Sequence, residues 1–256
     1  MNRTIHFTLL LLCIFLSLPS LLKAQNKNRH YVQAHLMTEE DGSRSRETVT
    51  YYDSFGLQDE TLEVGATPQG KDLQNIIGHD GFFRKVREHL PRPADNTGFY
   101  EDDNPYHYTV YENSELNRVR EVYGPGQTWQ ENGKAVKYAY LVNKASGVLS
   151  CSHYQVEELD RDMKLTRSGN YTPGELTITQ VTDEDGHITY AFSDASGRLV
   201  LTRQMNGAVA HDTYIVYDDR GRKRIVLPPS AADALTAVES WLCSQNEPIQ
   251  LYGYIY

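Results

Sequence analysis

The sequence predicts a mainly β chain of antiparallel sheets and hairpins, with one short helix near the C-terminus. Three observations predict it. Short segments alternate apolar and polar residues with the period of a half-buried strand. Asp-Gly and related turn residues punctuate them at close intervals. Tyrosine, which favours strands because its ring packs on the sheet while its hydroxyl reaches water, is abundant, with 18 Tyr against 7 Phe and 2 Trp. Low mean hydropathy adds that the sheets have solvated faces.

The 256 residues suffice for one large or two small domains. The first 24 read as a secretory signal peptide. Arg3 supplies a positive start, Thr8 to Leu22 is nearly unbroken apolar sequence, and small Ala24 precedes Gln25. A membrane anchor is the rival reading. The run falls short of the roughly 20 residues that cross a bilayer, and Pro19 interrupts it. Lipid attachment at Cys13 is disfavoured by bulky Leu12 before it. The expectation is export, to a secreted or cell-surface location, with no stable transmembrane segment after cleavage. Loss of Arg3 and Lys23 takes the formal charge from −9 to about −11, which disfavours nucleic acid as a partner.

From there the strands follow in order. His30 to Leu36 alternates, Glu39 to Ser43 turns, and Thr48 to Tyr52 is dense in β-branched and aromatic residues. Asp53 to Gly56 turns again and Leu57 to Val64 continues extended, before the loop Gly65 to Gly70. Asn75 to Gly81 leads through a turn into Arg84 to Leu90, ended by Pro91 and Pro93. Residues 94–107 read as a loop. Tyr108 to Tyr111, Asn117 to Val122, Ala135 to Val142 and Gly147 to Val156 are further strands. Leu176 to Thr182, the turn Asp183 to Gly186 and His187 to Phe192 form a hairpin, and Leu199 to Arg203, Thr213 to Tyr217 and Lys223 to Leu227 complete the set. After Pro228-Pro229, Ser230 caps a helix in which Ala234, Leu235, Val238, Trp241 and Leu242 recur at helical spacing, a stripe that covers a sheet. The expected division is a signal peptide at 1–24, a leading β domain at 25–165, and a repeat-like segment at 166–256 ending in the helix and a lone strand.

One unit recurs: an aromatic, an acid, two free positions, then Gly-Arg. Tyr217-Asp218 with Gly221-Arg222 is complete. Asp194 with Gly197-Arg198 follows Ser193 instead of an aromatic, and Tyr52-Asp53 keeps only Gly56 of the ending. His79-Asp80 with Arg84, and Tyr111-Glu112 with Asn117-Arg118, are fainter. Each part has a physical task. The carboxylate accepts backbone N–H groups inside the turn, and Gly supplies a positive φ. The Tyr is expected to pack on its equivalent in the next strand. Units this short bury their apolar faces only by stacking.

These residues resemble the YD repeat of the Rhs family. The run from Leu201 through Gly207, His211 to Asp219, and Val226 to Pro229 carries the likeness most specifically. Upstream, Val64-Gly65 with Pro68 to Leu73, Tyr123 to Gly126 with Trp129, and Thr182 to Gly186 are similar to the uncharacterised domain that precedes the repeats in large secreted bacterial members. Leu57 stands where that family prefers Arg and Phe83 where it prefers Gly, which predicts reshaped early turns. The resemblance implies a segment of a larger repeat shell, with further Rhs repeats or a downstream split-gene product as partners.

Catalytic signatures are lacking: the sequence holds no Gly-x-Ser-x-Gly, no His-Glu-x-x-His and no phosphate loop. Gly124-Pro125-Gly126 reads as a turn. Asp183-Glu184-Asp185 and Glu101-Asp102-Asp103 match no full calcium loop. His211-Asp212 is tempting as an acid/base pair, but adjacent strand residues face opposite ways. Cys151 and Cys243 read as separate buried thiols, with a disulfide the alternative. No catalytic, cofactor or metal residues are nominated, and no cofactor is expected. The expected function is a non-enzymatic structural or interaction module. A carbohydrate-binding module using exposed Tyr and Trp129 is the alternative, and a hydrolase built from scattered acids and histidines ranks third.

Overall fold

The computed structural model describes residues 29–40, 44–94 and 105–256. The signal-peptide reading of residues 1–24 and the acidic run Glu101-Asp102-Asp103 lie outside them. The chain divides into two compact units, residues 1–106 and 107–256. Both are antiparallel β, the class the sequence predicts.

In the first unit, β1 (His30–Met37), β2 (Ser45–Tyr52), β3 (Gln58–Glu63), β4 (Leu73–His79) and β5 (Lys85–His89) pair in that order, and β6 (Arg92–Pro93) adds to β4. Strand alternation sends Val49 and Tyr51 of β2 inward, while Thr50 and Tyr52 are half-buried. Glu60 is buried as well. It accepts a 2.5 Å hydrogen bond from Gln74 and one from Arg29, whose guanidinium also bonds Asp59 and lies 4.7 Å from the Tyr51 ring centroid. A buried carboxylate needs such partners to offset its desolvation. β1 ends the sheet order, and all eight of its residues are exposed.

The second unit is a longer meander. Its order is β7 (Tyr106–Tyr111, opening at the unit boundary), β8 (Val119–Tyr123), β9 (Ala135–Val142), β12 (Thr177–Thr182), β13 (Ile188–Ser193), β14 (Leu199–Asn206), β15 (Val209–Tyr217), β16 (Lys223–Leu227) and β18 (Tyr254–Ile255). Between β9 and β12 the chain leaves to form β10 (Ser152–Glu158) and β11 (Met163–Asn170), and β17 (Ser240–Leu242), which follows β16 in the chain, joins β11 to complete a second sheet. Asn143 closes the neck of this excursion and is fully buried. Its amide donates to the Thr172 carbonyl at 2.9 Å, and its side-chain oxygen accepts Leu176 N–H at 2.8 Å. Leu165, Leu176, Ile178, Phe192, Leu201, Ile225, Leu227, Leu235 and Ile249 form the core between the two sheets. The expected boundary at 165 and 166 falls inside β11.

Among the described residues three short helices occur where one was expected: α1 (Gln127–Glu131), α2 (Pro229–Ala234) and α3 (Glu247–Tyr252). α2 is shorter than its apolar spacing suggests. It starts from Pro228 without a side-chain cap from Ser230, and the helical backbone ends at Leu235, with φ −103° and ψ 51°. Val238 is 67% exposed, and Trp241 enters β17 opposite Leu165. Over so few residues helical spacing and strand alternation overlap, and pairing with β11 decides the outcome. α3 is capped by Asn246, whose side chain accepts Ile249 N–H at 3.1 Å. The last strand is not alone, since Ile255 lies opposite Ile225 and Tyr254 opposite Val226.

Candidate functional site

The expected motif residues occupy hairpin turns of one construction. At Asp218, the backbone N–H donates to the Arg222 carbonyl at 2.9 Å and Gly221 N–H returns to the Asp218 carbonyl at 3.0 Å. Its Oδ1 accepts Arg220 N–H at 3.0 Å and Arg222 N–H at 2.8 Å, and its Oδ2 accepts Arg222 Nε–H at 2.7 Å. The turn at Asp194 repeats these bonds with Ser196 and Arg198, and that at Asp80 with Phe82 and Arg84. The carboxylate thus satisfies donors that the tight turn would leave orphaned, and the arginine latches the other oxygen.

The early turns depart from expectation in an instructive way. Phe83 adopts φ 64° itself, and its turn keeps the same hydrogen bonds. Its ring meets Phe55 with centroids 5.0 Å apart, a contact that offsets part of the cost of a left-handed non-glycine residue. Asp53 accepts Phe55 and Leu57 N–H, both at 2.9 Å, and Gly56 takes φ 81°, so Leu57 removes the arginine latch but not the turn. The expected reshaping does not occur. Glu112 makes a longer version, forking onto Arg118 at 2.7 and 2.9 Å, with Asn117 at φ 52°. A sixth turn, absent from the repeat as read from sequence, is built by Asp183, whose Oδ2 meets His187 Nδ1 at 2.9 Å.

Five of these turns share a further device. The ladder register shifts at Tyr51/Tyr52, Gly78/His79, Val110/Tyr111, Phe192/Ser193 and Val216/Tyr217, immediately before the acid each time. Between these paired positions the returning strand gains one extra residue: Asp59, Val86, Arg120, Val200 or Arg224. A bulge bends the strand and breaks alternation locally, which is why consecutive Val200 and Leu201 are both buried. The Asp183 turn has no such shift. The aromatic position of the motif therefore marks a bulge.

Tyr217 stacks on no other motif tyrosine among the described residues. Tyr217 lies with its ring centroid 5.0 Å from the Arg198 guanidinium carbon of the preceding turn, and its hydroxyl donates to the Leu199 carbonyl at 3.1 Å. Tyr140 treats Arg118 and the Val119 carbonyl the same way, at 4.5 and 3.0 Å. Cation–π attraction with a specific hydrogen bond replaces ring stacking. Tyr52, in the other unit, is half-buried at its bulge.

These carboxylates are committed to structure. Desolvation pulls the Asp194 carboxyl upward, but the Arg198 side chain and backbone and the Ser196 N–H outweigh it and hold it below its ordinary value. Asp218 behaves alike, with desolvation outweighed by Arg222 and Arg220. Asp183 is lowered by the His187 N–H foremost.

His211 is exposed, whereas Asp212 points the other way and bonds Arg203 and Tyr214. That separates the tempting pair. Arg203 itself was not anticipated, although a cation two residues after Leu201 in an alternating strand is a readable anomaly. Cys151 and Cys243 are free and buried, and burial pushes their thiols up to about 12 and about 11. Among the described residues no group of three or more His, Cys, Asp or Glu is placed to hold a metal ion, and no helix is long and apolar enough to cross a membrane.

Two of the clefts in the second unit are lined by turn residues of the motif. One, of ≈ 450 Å³, lies between β10 and the Asp194 and Asp218 turns, lined among others by His153, Tyr171, Arg198, Tyr217 and Asp219. The other, of ≈ 590 Å³, is lined by Arg118, Tyr140, Lys144 and Leu149 with Thr177 to Thr179. Gly124 and Gly126 sit under the indole of Trp129, which is 43% exposed on α1.

No curated protein matches the chain. Residues 25–142 match a family described as a domain of unknown function, DUF6443. The matched span ends at Val142, the last residue of β9, and includes strands of both units.

Proposed function

We propose that the chain is a non-enzymatic structural and interaction module of a secreted or cell-surface protein of the Rhs/YD-repeat type, a segment of a larger repeat shell. The recurrence of one bulged, acid-filled turn along an antiparallel meander carries this reading. Such a lattice is extended by adding hairpins, and its motif carboxylates are spent in holding turns. The strands at the ends of the sheet order are suited to accept partners. β1 contains no Asp, Glu, Lys or Arg to guard its edge. At the other end Tyr254 and Ile255 are 62% and 46% exposed. The partners expected there are further Rhs repeats or a split-gene product. Sedimentation velocity on residues 25–256 tests this. Concentration-dependent association that weakens in Val32→Lys or Ile255→Lys supports it, and a monomer at high concentration argues against it. A continuing repeat frame in the DNA after the Tyr256 codon adds independent support.

A second reading, glycan binding, is favoured by the exposed Trp129 indole. An indole face held in a fixed orientation is a suitable platform for a sugar ring. Glycan-array binding lost in Trp129→Ala favours it over the purely structural reading.

A further inference from the structure

The ≈ 450 Å³ cleft has features that the structural role leaves unused. Five consecutive residues of β10, His153 to Glu157, line it. Because successive side chains point to opposite faces, consecutive lining means that the cleft runs along an edge of the strand. β10 is the end strand of its three-stranded sheet, with β11 on one side, so its other edge is free to pair among the described residues. Val200, Ile215 and Tyr217 form the opposite wall.

The electrostatics select the occupant. Arg198 is spent on Asp194 at 2.7 Å and on the Tyr217 ring. Asp219 is exposed and Glu157 is exposed, held only at 3.4 Å by Lys164. The His153 and Tyr171 rings lie 4.2 Å apart, centroid to centroid, and present aromatic surface beside these acids. Carboxylates next to ring faces attract cations and repel anions. The molecule already places a guanidinium over a tyrosine in this same cleft.

We propose that this cleft binds an extended peptide bearing arginine or lysine, added as a strand to the β10 edge, with its basic side chains directed at Asp219 and Glu157. Main-chain pairing gives such a complex its register and alternate side chains give it specificity. The site goes beyond the module reading and stands or falls separately, since edge association at β1 or β18 does not use it.

The test is fluorescence anisotropy of residues 25–256 with a labelled, end-capped Arg-Thr-Arg-Thr-Arg-Thr peptide. Saturable binding is expected, weakened about tenfold by citrulline in place of arginine and about fivefold by N-methylation of alternate backbone amides. Asp219→Asn with Glu157→Gln weakens it about fivefold, while Glu39→Gln with Glu40→Gln leaves it unchanged. Equal affinity for the citrulline peptide, an equal loss in the Glu39/Glu40 variant, or indifference to N-methylation overturns the proposal. So does the absence of saturable binding by the basic peptide. Asp219 and Glu157 lie on the surface, and circular dichroism of each variant verifies the fold.

Discussion

Arg203 on β14 and Asp212 on β15 face each other across the ladder, with Nε–H donating to Oδ1 at 2.7 Å and a terminal nitrogen to Oδ2 at 2.5 Å. The second terminal nitrogen reaches the Val148 and Ser150 carbonyls, at 2.5 and 3.0 Å, so one guanidinium joins the meander to the segment that leads into β10. Only 7% of Arg203 is exposed. Burial pulls its pKa down, and the hydrogen bond and charge of Asp212 more than reverse that. Asp212→Ala leaves a buried, unpaired cation and is expected to cost about 3 kcal/mol. Urea unfolding measures it. The double change Arg203→Met with Asp212→Leu is expected to recover most of the loss, because the pair's net contribution is small beside the penalty of breaking it. A loss under about 1 kcal/mol for Asp212→Ala refutes the pairing argument.

Stability falls on acidification. The carboxyls of Asp80, Asp183, Asp194 and Asp218 lie below their ordinary 3.8 in the folded chain. A depressed folded pKa gives a contribution that is complete above the unfolded value and disappears as pH drops through the folded one. Thermal midpoints measured from about pH 6 down to about pH 2 are therefore expected to decline below about pH 4. Replacing Asp194 and Asp218 by Asn flattens that decline. An identical slope in the double variant contradicts the assignment.

Gly197 and Gly221 hold the same turn position, at φ 76° and 77°, but in different surroundings. A Cβ on Gly197 meets nothing within 4 Å, whereas one on Gly221 meets an Arg198 nitrogen at 2.9 Å. Gly197→Ala is expected to cost about 1–2 kcal/mol from backbone strain alone. Gly221→Ala costs about 1 kcal/mol more, because Arg198 is held by Asp194 and Tyr217 and yields poorly. Arg198→Ala in the Gly221→Ala background removes the excess. Equal costs at the two glycines would falsify the stacking of these turns.

The thiols are expected to be inert in the folded chain. With Cys151 pushed to about 12 and Cys243 to about 11, little thiolate exists at neutral pH. A disulfide-exchange reagent applied to residues 25–256 reacts slowly until denaturant is added, and then titrates both thiols. Rapid native labelling of either one places it at the surface instead.

Much of the strand order was legible because β-branched and aromatic alternation is local. Ala135 to Val142 and Lys223 to Leu227 coincide with β9 and β16. The turns at Asp53, Asp194 and Asp218 were legible for the same reason, since acid and glycine act within five residues. What was hidden depends on distant partners. β11 carries charges along its length, and β17 is three residues that become a strand only through β11. The bulges follow from ladder register, which no single strand encodes. The cleft requires β10 and the Asp194 and Asp218 turns, far apart in sequence, to meet. Asn143 looks like any loop asparagine until the neck it closes is seen.

Hydrogen exchange on Asp194→Ala addresses the dependence of one turn on the next most directly. If Arg198, released from its carboxylate, no longer supports Tyr217 and Gly221, amides of residues 218–222 and of β13 to β16 lose protection together with those of 194–198. Loss confined to residues 194–198, with Arg220 and Arg222 amides as slow as in the parent chain, would mean that each hairpin stands by itself.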